Sequence, residues 1–425
     1  MMKTIVSVTP LPVESDSRTF KQAASFSRLG YESVVVEGRS SSLAGDLPFG
    51  LISVSGAPAS DRLDAVGVGD AGSSGGPEGT SPVKRMVQKL PMPVLGPIRD
   101  IYNLGAWYSA WIRRQIETYR ALPSASLYVI HESIQFPAVY LASLRQRVPF
   151  VYDAHDLYSS LVAEHRLQAG YSPTIAATRN LIERVCVHRA AARMTVAPGL
   201  AEMQRRRFNR PFTVVRNAHD SRIDQKSPIS VRTRAGVEPD AFLLVTIGNA
   251  KPSMAIKELL DAIVLLPEDV HLACVGRGYE AFASAIEERR LDGRVHLVGA
   301  VPPVQVASFL RDADAAANVY VAASPNAFNA LPNGFFQSVA AGLPVLVPSL
   351  PEIQAISNRF DLGIAIDPSD ARSVAAAVTS LRGDAERSAR YRNNAAEAAA
   401  ELSWDHEERR LAALVEPLTG PAVLP

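Results

Sequence analysis

The stretch from Ala330 to Ile353, ALPNGFFQSVAAGLPVLVPSLPEI, decides the fold of the chain. It opens with a proline-containing loop, continues into a helical pattern over 334–341, and stops at Gly342 before the apolar run 343–347. We predict Asn333 as the N-cap, so that first-turn N–H groups can bind an anion at the end of the preceding strand. From the local pattern alone, an ordinary helix–strand unit of an α/β domain remains the alternative.

Length and composition limit the possible classes of protein. With 425 residues, two domains are the natural count, and 47% hydrophobic with 20% charged residues is typical of globular chains. The net charge of +1 argues against a general nucleic-acid binder. Cys186 and Cys274 stand in apolar contexts without metal-ligand spacing. We therefore predict buried thiols in a reducing, cytoplasmic compartment, with no metal site and no cofactor.

Strand and helix patterns alternate along the chain in two halves. A strand pattern over 4–9, a helix pattern over 17–29 and a strand pattern over 33–37 form a βαβ start, and the alternation begins again at 242–247. The predicted fold class is α/β, with two doubly wound Rossmann-like domains. We place an N-terminal domain at 1–222, a C-terminal domain at 223–402, and a final helix and tail at 403–425.

Two consecutive segments of the first half differ from the rest in composition. Residues 56–82 are rich in Gly, Ser, Ala and Asp, which predicts a flexible insertion. Residues 83–114 then carry six basic side chains against one acid, Asp100, interleaved with aromatic and aliphatic residues. A basic amphipathic stretch of this kind fits an anionic membrane surface or a lipid-phosphate acceptor. The alternative is a solvated helix face whose tryptophans lie in the core.

Several motifs resemble the retaining glycosyltransferases of family 4, also called glycosyl transferases group 1. The resemblance is carried by YDAHDLYS at 152–159, VVRNAHD at 214–220, and the LPN, AAGLPV and LPE elements of 330–353. It covers nearly the whole chain except 56 to about 97. It implies the GT-B fold, in which two such domains face a cleft and the C-terminal helix crosses back to the first domain.

The resemblance also implies functional residues in the first half. His155, in YDAHDLYS, matches a histidine that lies over the donor sugar, and an imidazole there can remain neutral near pH 7. His131 is a second histidine candidate. Arg18, after the first strand, is placed to clamp a phosphate or sugar acid on the acceptor side, although a surface arginine at a helix start is an equal alternative.

In the second half, the resemblance implies a site for the donor nucleotide and diphosphate. Its members are Gly248, Asn249, Lys251, Gly276, Arg277, Leu331, Asn333, Gly334 and Gln337. The chain departs from the family at Asn249 and Met254, where an arginine and a lysine are usual, and Lys251 is the loop cation that could replace them. It departs again at Gly334, which replaces a basic residue, at Gln337, which replaces a glutamate, and at Asn329, which replaces an acid.

These motifs support one main functional hypothesis and two others. The first is a metal-independent, retaining transfer of a sugar from a nucleoside diphosphate sugar to a glycan or lipid-linked acceptor, at the inner face of a membrane. The second is a catalytically silent relative that binds a glycan, nucleotide or partner enzyme. The third, a nucleotide-sugar 2-epimerase, needs more cleft carboxylates than Glu132, Asp153 and Asp156 supply.

Overall fold

The computed structural model describes residues 2–41, 47–54, 92–157 and 173–419, with side chains described from residue 104 onward in the helix that begins at Met92. The predicted insertion at 56–82 lies outside the described residues. The same is true of the first part of the basic stretch 83–114, which enters the described chain as a helix.

The chain divides into two compact units. Unit 1 comprises Met1–Thr195, Met203–Thr213 and Ala412–Pro425, and unit 2 comprises Val196–Glu202 and Val214–Leu411. The ranges predicted from the sequence were continuous, whereas these units are interleaved.

Unit 1 is built on a seven-stranded sheet with strand order β3-β2-β1-β4-β5-β6-β7, in which β1 to β6 pair in parallel. Its strands are β1 (Thr4–Thr9), β2 (Glu32–Glu37), β3 (Gly50–Ser53), β4 (Leu127–His131), β5 (Phe150–Ala154), β6 (Ala192–Thr195) and β7 (Thr213–Val214). The accompanying helices are α1 (Ser17–Arg28), α2 (Met92–Ala121), α3 (Phe136–Gln146), α4 (Pro173–Arg189) and α5 (Pro198–Phe208). The part of α5 up to Glu202 belongs to unit 2.

Unit 2 is built on a six-stranded parallel sheet with strand order β10-β9-β8-β11-β12-β13. Its strands are β8 (Phe242–Ile247), β9 (Val270–Val275), β10 (Val295–Gly299), β11 (Ala315–Ala317), β12 (Val345–Pro348) and β13 (Gly363–Ile366). The remaining helices are α6 (Val231–Ala235), α7 (Ile256–Leu265), α8 (Ala283–Glu288), α9 (Val306–Leu310), α10 (Pro325–Phe328), α11 (Asn333–Ala340), α12 (Pro351–Phe360), α13 (Ala371–Gly383), α14 (Ala385–Glu401) and α15 (Trp404–Thr419).

The two sheets share one winding pattern. Each starts at its third strand in space, builds outward in one direction, and then crosses back to continue on the other side of its first strand. The predicted α/β class with two doubly wound parallel sheets is therefore confirmed. In such sheets ligands bind at the carboxyl ends of the strands, beside the point where the winding reverses. That point lies between β1 and β4 in unit 1 and between β8 and β11 in unit 2.

The stretch 330–353 folds as loop, helix, turn and strand. Helix α11 begins at Asn333, and its N-cap is the extended residue Pro332, so the prediction of Asn333 as N-cap is wrong. The carbonyl oxygen of Pro332 accepts a hydrogen bond from the N–H of Phe335 at 3.1 Å, which closes the first turn without an asparagine cap. Gly342, at φ +73°, ends the helix as predicted.

The last helix, α15, starts in unit 2 with the fully buried Trp404 and reaches unit 1 from Ala412 onward. Within unit 1, the hydroxyl groups of Thr419 and Tyr31 lie 3.1 Å apart, within hydrogen-bond distance. Both cysteines are free and buried, as predicted. Among the described helices, none has the length and apolar character needed to cross a bilayer.

Candidate functional site

The candidate site of unit 1 is a group of charged side chains gathered around Asp153. This aspartate lies in β5, FVYDA, whose five residues are all buried. An unpaired carboxylate in such a strand would be costly, so the fold must supply cations and hydrogen-bond donors to it. They come from the helix after β1 and from the ends of β4 and β5.

Arg18 is the main partner of Asp153. Its Nε and Nη2 atoms donate to Oδ2 and Oδ1 at 2.8 Å each, and Gln22, one helical turn later, donates to Oδ2 at 2.6 Å. The Arg18 side chain is only 2% exposed. Two parallel hydrogen bonds between guanidinium and carboxylate form a strong, geometrically fixed pair. The structure thus places Arg18 inside unit 1 as the partner of Asp153, not as an open clamp for a phosphate.

The two candidate histidines meet on the same carboxylate. His131 Nδ1 lies 3.2 Å and His155 Nε2 lies 3.1 Å from Oδ2 of Asp153. The same two ring nitrogens are 3.3 Å apart. His131 is fully buried, whereas the side chain of His155 is 21% exposed. His155 is therefore the histidine of this group that a ligand can reach, through the rest of its ring.

Charge fixes the protonation state of His155. Burial lowers its pKa, but the neighbouring Asp153 carboxylate, and more distantly Asp16, outweigh burial and raise the pKa of His155 to about 9. The imidazole is consequently protonated at pH 7, which corrects the sequence-based expectation that it stays neutral. Burial also opposes ionisation of Asp153, yet Arg18 and His155 hold the pKa of its carboxyl well below the usual range.

Asp16 adds a second carboxylate to this group. It is the N-cap of α1: its Oδ1 accepts from the Thr19 N–H at 3.1 Å, and its Oδ2 accepts from the Thr9 hydroxyl at 2.9 Å. Burial opposes its ionisation, but the nearby His155 and His131 lower the pKa of Asp16 below its ordinary value. Unit 1 therefore surrounds two anions with one arginine and two histidines.

Among the described residues, the group that could bind a metal ion is part of this same network. One ligand atom each from His131, Asp153 and His155 lie within 4.8 Å of one another. The carboxylate is already bonded to Arg18 and Gln22, and a guanidinium at 2.8 Å opposes the approach of a dication. The arrangement fits a hydrogen-bonded charge network better than a metal centre.

The candidate site of unit 2 is made mainly of backbone. Gly248 follows β8 at φ +108° and Gly276 follows β9 at φ +150°. A Cβ on Gly276 would lie 2.1 Å from the carbonyl oxygen of Gly248, so the two loops touch only because this residue has no side chain. Asn249 fixes the contact, since its Oδ1 accepts from the N–H of Arg277 at 3.1 Å.

The start of α11 approaches the same strand end. A Cβ on Gly334 would lie 2.7 Å from the carbonyl oxygen of Ile247, the last residue of β8. This explains one departure from the family pattern, because a basic side chain could not occupy the position without moving the helix. Leu331 is buried beside it, while Asn333 and Gln337, one turn apart, are half-buried.

The cations predicted for the phosphates occupy different environments. Lys251 and Arg277 are exposed in the loops that follow β8 and β9, and Lys257 is exposed on α7. Met254, where the family has a lysine, is only 7% exposed, and its backbone forms an isolated antiparallel β-bridge with Tyr320. The Met254 side chain is thus part of the core, and Lys251 and Arg277 are the cations that remain in the loops at the edge of the sheet.

A cluster in unit 2 was not predicted from the sequence. Glu352, at the start of α12, accepts from the N–H of Gly199 at 2.6 Å. A Cβ on Gly199 would lie 2.0 Å from Oδ1 of Asn329 and 2.9 Å from Oε1 of Glu352, so the amide and the carboxylate adjoin the same glycine. Burial raises the pKa of Glu352. Asn329 therefore replaces the family's acid at a position that adjoins the Glu352 carboxylate.

One sign of the network in unit 1 can be recognised in the sequence. Asp153 sits in an unbroken buried strand, where a carboxylate requires a partner. Its partners Arg18 and Gln22 lie more than a hundred residues earlier in the chain, and no local pattern connects them to it.

Comparison with known proteins gives the same two-part organisation. Residues 241–384 match the family model "Glycosyl transferases group 1", and no curated protein sequence matches the chain. The structure of Anabaena HepE in complex with UDP is similar at 16% identity and TM-score 0.64, over 98% of this chain and 100% of that one. Sucrose-phosphate synthase from Thermosynechococcus elongatus is similar at 14% identity and TM-score 0.66, over 98% and 99%. WaaG, a glycosyltransferase involved in lipopolysaccharide biosynthesis, is similar at 14% identity and TM-score 0.63, over 96% and 99%. These likenesses establish the GT-B fold.

Proposed function

Because residues 241–384 carry a glycosyl transferases group 1 domain, as the sequence motifs indicated, we propose that the chain transfers a sugar from a nucleoside diphosphate sugar to a glycan or lipid-linked acceptor. One observation carries the proposal. The matched residues include the touching glycine loops after β8 and β9 and the start of α11, which gather at the end of β8. Sugar transfer needs a place that holds the donor diphosphate, and that edge of the sheet provides one.

The donor diphosphate would be held by backbone and by two loop cations. The first N–H groups of a helix carry a partial positive charge that stabilises an anion, and α11 presents them beside β8. Lys251 and Arg277 can add full charges. These groups can stabilise the departing diphosphate, which supports a transfer that needs no metal ion. The resemblance further implies retention, with the departing phosphate taking the acceptor's proton on the same face.

The proposed role of His155 changes with its charge. The resemblance implies that this histidine contacts the donor sugar. With its Nε2 directed at Asp153, the ring offers Nδ1, and a protonated imidazole donates from both nitrogens. It would therefore donate to a sugar hydroxyl or phosphate oxygen. Asp153 and Arg18 position this ring and are not themselves proposed to touch the donor.

Gln337 is proposed to contact the ribose of the nucleotide, as the family's glutamate does. An amide offers one acceptor and two donors, so it can bond a diol without charge assistance. The loss relative to a carboxylate would be about 1 kcal/mol.

A catalytically silent relative is the second candidate function. Two observations favour it. Asn249 uses its side-chain oxygen within the loop, and Met254 is packed in the core, so neither supplies the charge expected at the phosphate site. Such a protein would bind a nucleotide or glycan without turning it over.

Calorimetric titration of the full chain with UDP, GDP, ADP and dTDP, each with and without EDTA, tests the proposal. UDP comes first because the HepE structures contain UDP, glucose and UDP-glucose. Binding of one nucleotide that is unaffected by EDTA, followed by release of that nucleotide from its sugar conjugate in the presence of acceptor, supports the transferase. Binding without turnover would support the silent relative. The absence of binding to all four nucleotides would refute the transferase and leave the silent relative as a protein that binds a glycan or a partner enzyme.

Variants at the donor site sharpen this test. Lys251→Ala should weaken nucleotide binding severalfold, whereas Lys257→Ala, which removes an exposed lysine from α7, should leave it unchanged. Gln337→Glu should tighten binding if the diol contact is right. His155→Ala should abolish turnover. The control His188→Ala, which removes an exposed histidine, should leave turnover unchanged.

A further inference from the structure

Three helices of unit 1 share a surface on which large apolar side chains are exposed. The described chain exposes eleven such side chains, and six of them lie on α2, α3 and α4. They form one pair per helix, 37–62% exposed: Ile112 with Ile116, Leu141 with Leu144, and Leu181 with Val185. Because residues three or four apart lie on the same side of a helix, each pair is a single apolar ridge.

Direct contacts hold the three helices side by side. Tyr119 of α2 accepts from Arg145 of α3 at 3.3 Å, and the hydroxyl groups of Tyr108 in α2 and Thr178 in α4 are hydrogen-bonded. The guanidinium of Arg189 in α4 lies 6.0 Å from the ring centroid of Tyr140 in α3. The three ridges therefore belong to one continuous surface, which we call the α2–α4 surface.

The exposed charges on this surface have one sign. They are basic and flank the ridges: Arg113, Arg120, Arg145, Arg184 and Arg189. Within the described side chains of α2, α3 and α4 no acid is exposed, since Glu183 is buried and Glu117 is half-buried. No described acid forms an ion pair with any of the five arginines.

We propose that the α2–α4 surface docks on an anionic lipid bilayer. Apolar ridges that enter the boundary between head groups and acyl chains, bordered by arginines that contact lipid phosphates, are the arrangement that such a bilayer stabilises. A second copy of the chain is a poor occupant, because a symmetric contact would bring arginines against arginines. The exposed apolar centre likewise makes nucleic acid a poor occupant.

The α2–α4 surface includes part of the basic stretch 83–114 and adds two helices, α3 and α4, that lie outside it. The docking does not depend on the proposed transfer reaction, since it concerns a surface of unit 1 and a bilayer. A chain that binds no nucleotide could still dock, and a transferase with a soluble acceptor could fail to dock.

The test is co-sedimentation of the full chain with vesicles of phosphatidylcholine alone and of phosphatidylcholine containing phosphatidylglycerol. We expect binding to the anionic vesicles, weaker binding to the neutral ones, and loss of binding as salt is raised. In Arg113→Gln/Arg145→Gln/Arg184→Gln, each removed arginine should lower the partition coefficient about fivefold. Leu141→Ser/Leu144→Ser/Leu181→Ser should reduce it at least tenfold.

Matched controls come from exposed residues of unit 2. Val264→Ser/Leu265→Ser removes two apolar side chains, and Arg290→Gln/Arg311→Gln/Arg372→Gln removes three charges. Both should bind like the parent chain, and unchanged thermal unfolding midpoints establish that every variant is folded. Absence of binding to anionic vesicles, equal binding by all variants, or a dimer that the leucine variant alone abolishes would overturn the proposal.

Discussion

The two units use one sheet topology to build sites of opposite kinds. In unit 1 the strand ends bring together buried charged side chains, with Asp153 bonded to Arg18, Gln22 and two histidines. In unit 2 the strand ends bring together backbone: Gly276 and Gly334 have no side chains where loop and helix touch, and Gly248 turns at φ +108°. The first site depends on the charges that its side chains carry, and the second depends on the absence of side chains.

This difference predicts which kind of substitution destabilises each unit. A buried charge network fails when one partner is removed and the others stay behind without water. A backbone site fails when a methyl group is added where two chains already touch. Substitutions that keep shape and change charge should therefore damage unit 1, and substitutions that keep charge and change shape should damage unit 2.

The largest effect is expected for Asp153→Asn. The amide keeps the shape of the side chain, but Arg18 and the protonated His155 lose their anion inside unit 1. We expect unit 1 to lose about 3–5 kcal/mol in free energy of unfolding, measured by hydrogen exchange of peptides from β4 and β5. The control Asp361→Asn breaks the exposed pair with Arg390 and should leave exchange unchanged. Equal exchange in both variants would contradict the charge-network description.

The next effect belongs to unit 2. In Gly276→Ala the new Cβ would lie 2.1 Å from the Gly248 carbonyl oxygen, at a φ of +150° that alanine rarely adopts. We expect a loss of about 2–3 kcal/mol, seen as faster exchange in peptides from β8 and β9, with unit 1 peptides unchanged. No atom lies within 4 Å of a Cβ on Gly293, so Gly293→Ala should be harmless. Tolerance of Gly276→Ala would show that the loops can separate.

The third prediction concerns the pH dependence that His155 gives to the stability of unit 1. The pKa of His155 is about 9 in the folded chain and about 6.5 when unfolded, so its stabilisation is complete below pH 6.5 and is lost as the pH rises through 9. The upper limit of the loss is about 3 kcal/mol. Urea unfolding at pH 6.5 and 9 should show this decrease, His155→Gln should reduce it, and His188→Gln should not. If His155→Gln loses as much stability between pH 6.5 and pH 9 as the parent chain, the pH dependence belongs to other groups.

Asp153 should act in the opposite pH range. Because its pKa is lowered in the folded chain, its stabilisation is present above the unfolded value near 3.9 and is lost as the pH falls through the folded value. Unit 1 therefore has its greatest network stability between the two ranges, whereas the backbone site of unit 2 brings no such dependence.

The smallest effect is expected for Asn329→Asp in unit 2. The new carboxylate would stand beside Glu352, whose pKa is already raised by burial, and two like charges there should cost about 1 kcal/mol at pH 7. The thermal unfolding midpoint should fall at pH 7 and recover as the pH is lowered and the two carboxylates come to share a proton. The exposed substitution Asn393→Asp is the control. An unchanged midpoint at pH 7 would mean that Asn329 and Glu352 do not interact.

Local patterns predicted the elements better than they predicted their contacts. Helix α1 was expected at 17–29 and runs from Ser17 to Arg28, because Asp16 caps it and Gly30 follows it. The start of α11 was misplaced by one residue, because asparagine is a preferred N-cap and was the strongest local signal, whereas the residue that precedes the helix is the extended Pro332.

The sequence by itself determined two doubly wound parallel sheets and the edge of each sheet where a ligand should bind. These follow from apolar periodicity, glycine positions and local turn chemistry, which act over a few residues. Only the tertiary structure decided that Arg18 belongs to Asp153, that His155 is protonated, and that Gly334 serves close packing. Those properties depend on groups that are distant in the chain and adjacent in space, where burial and charge set the free energy.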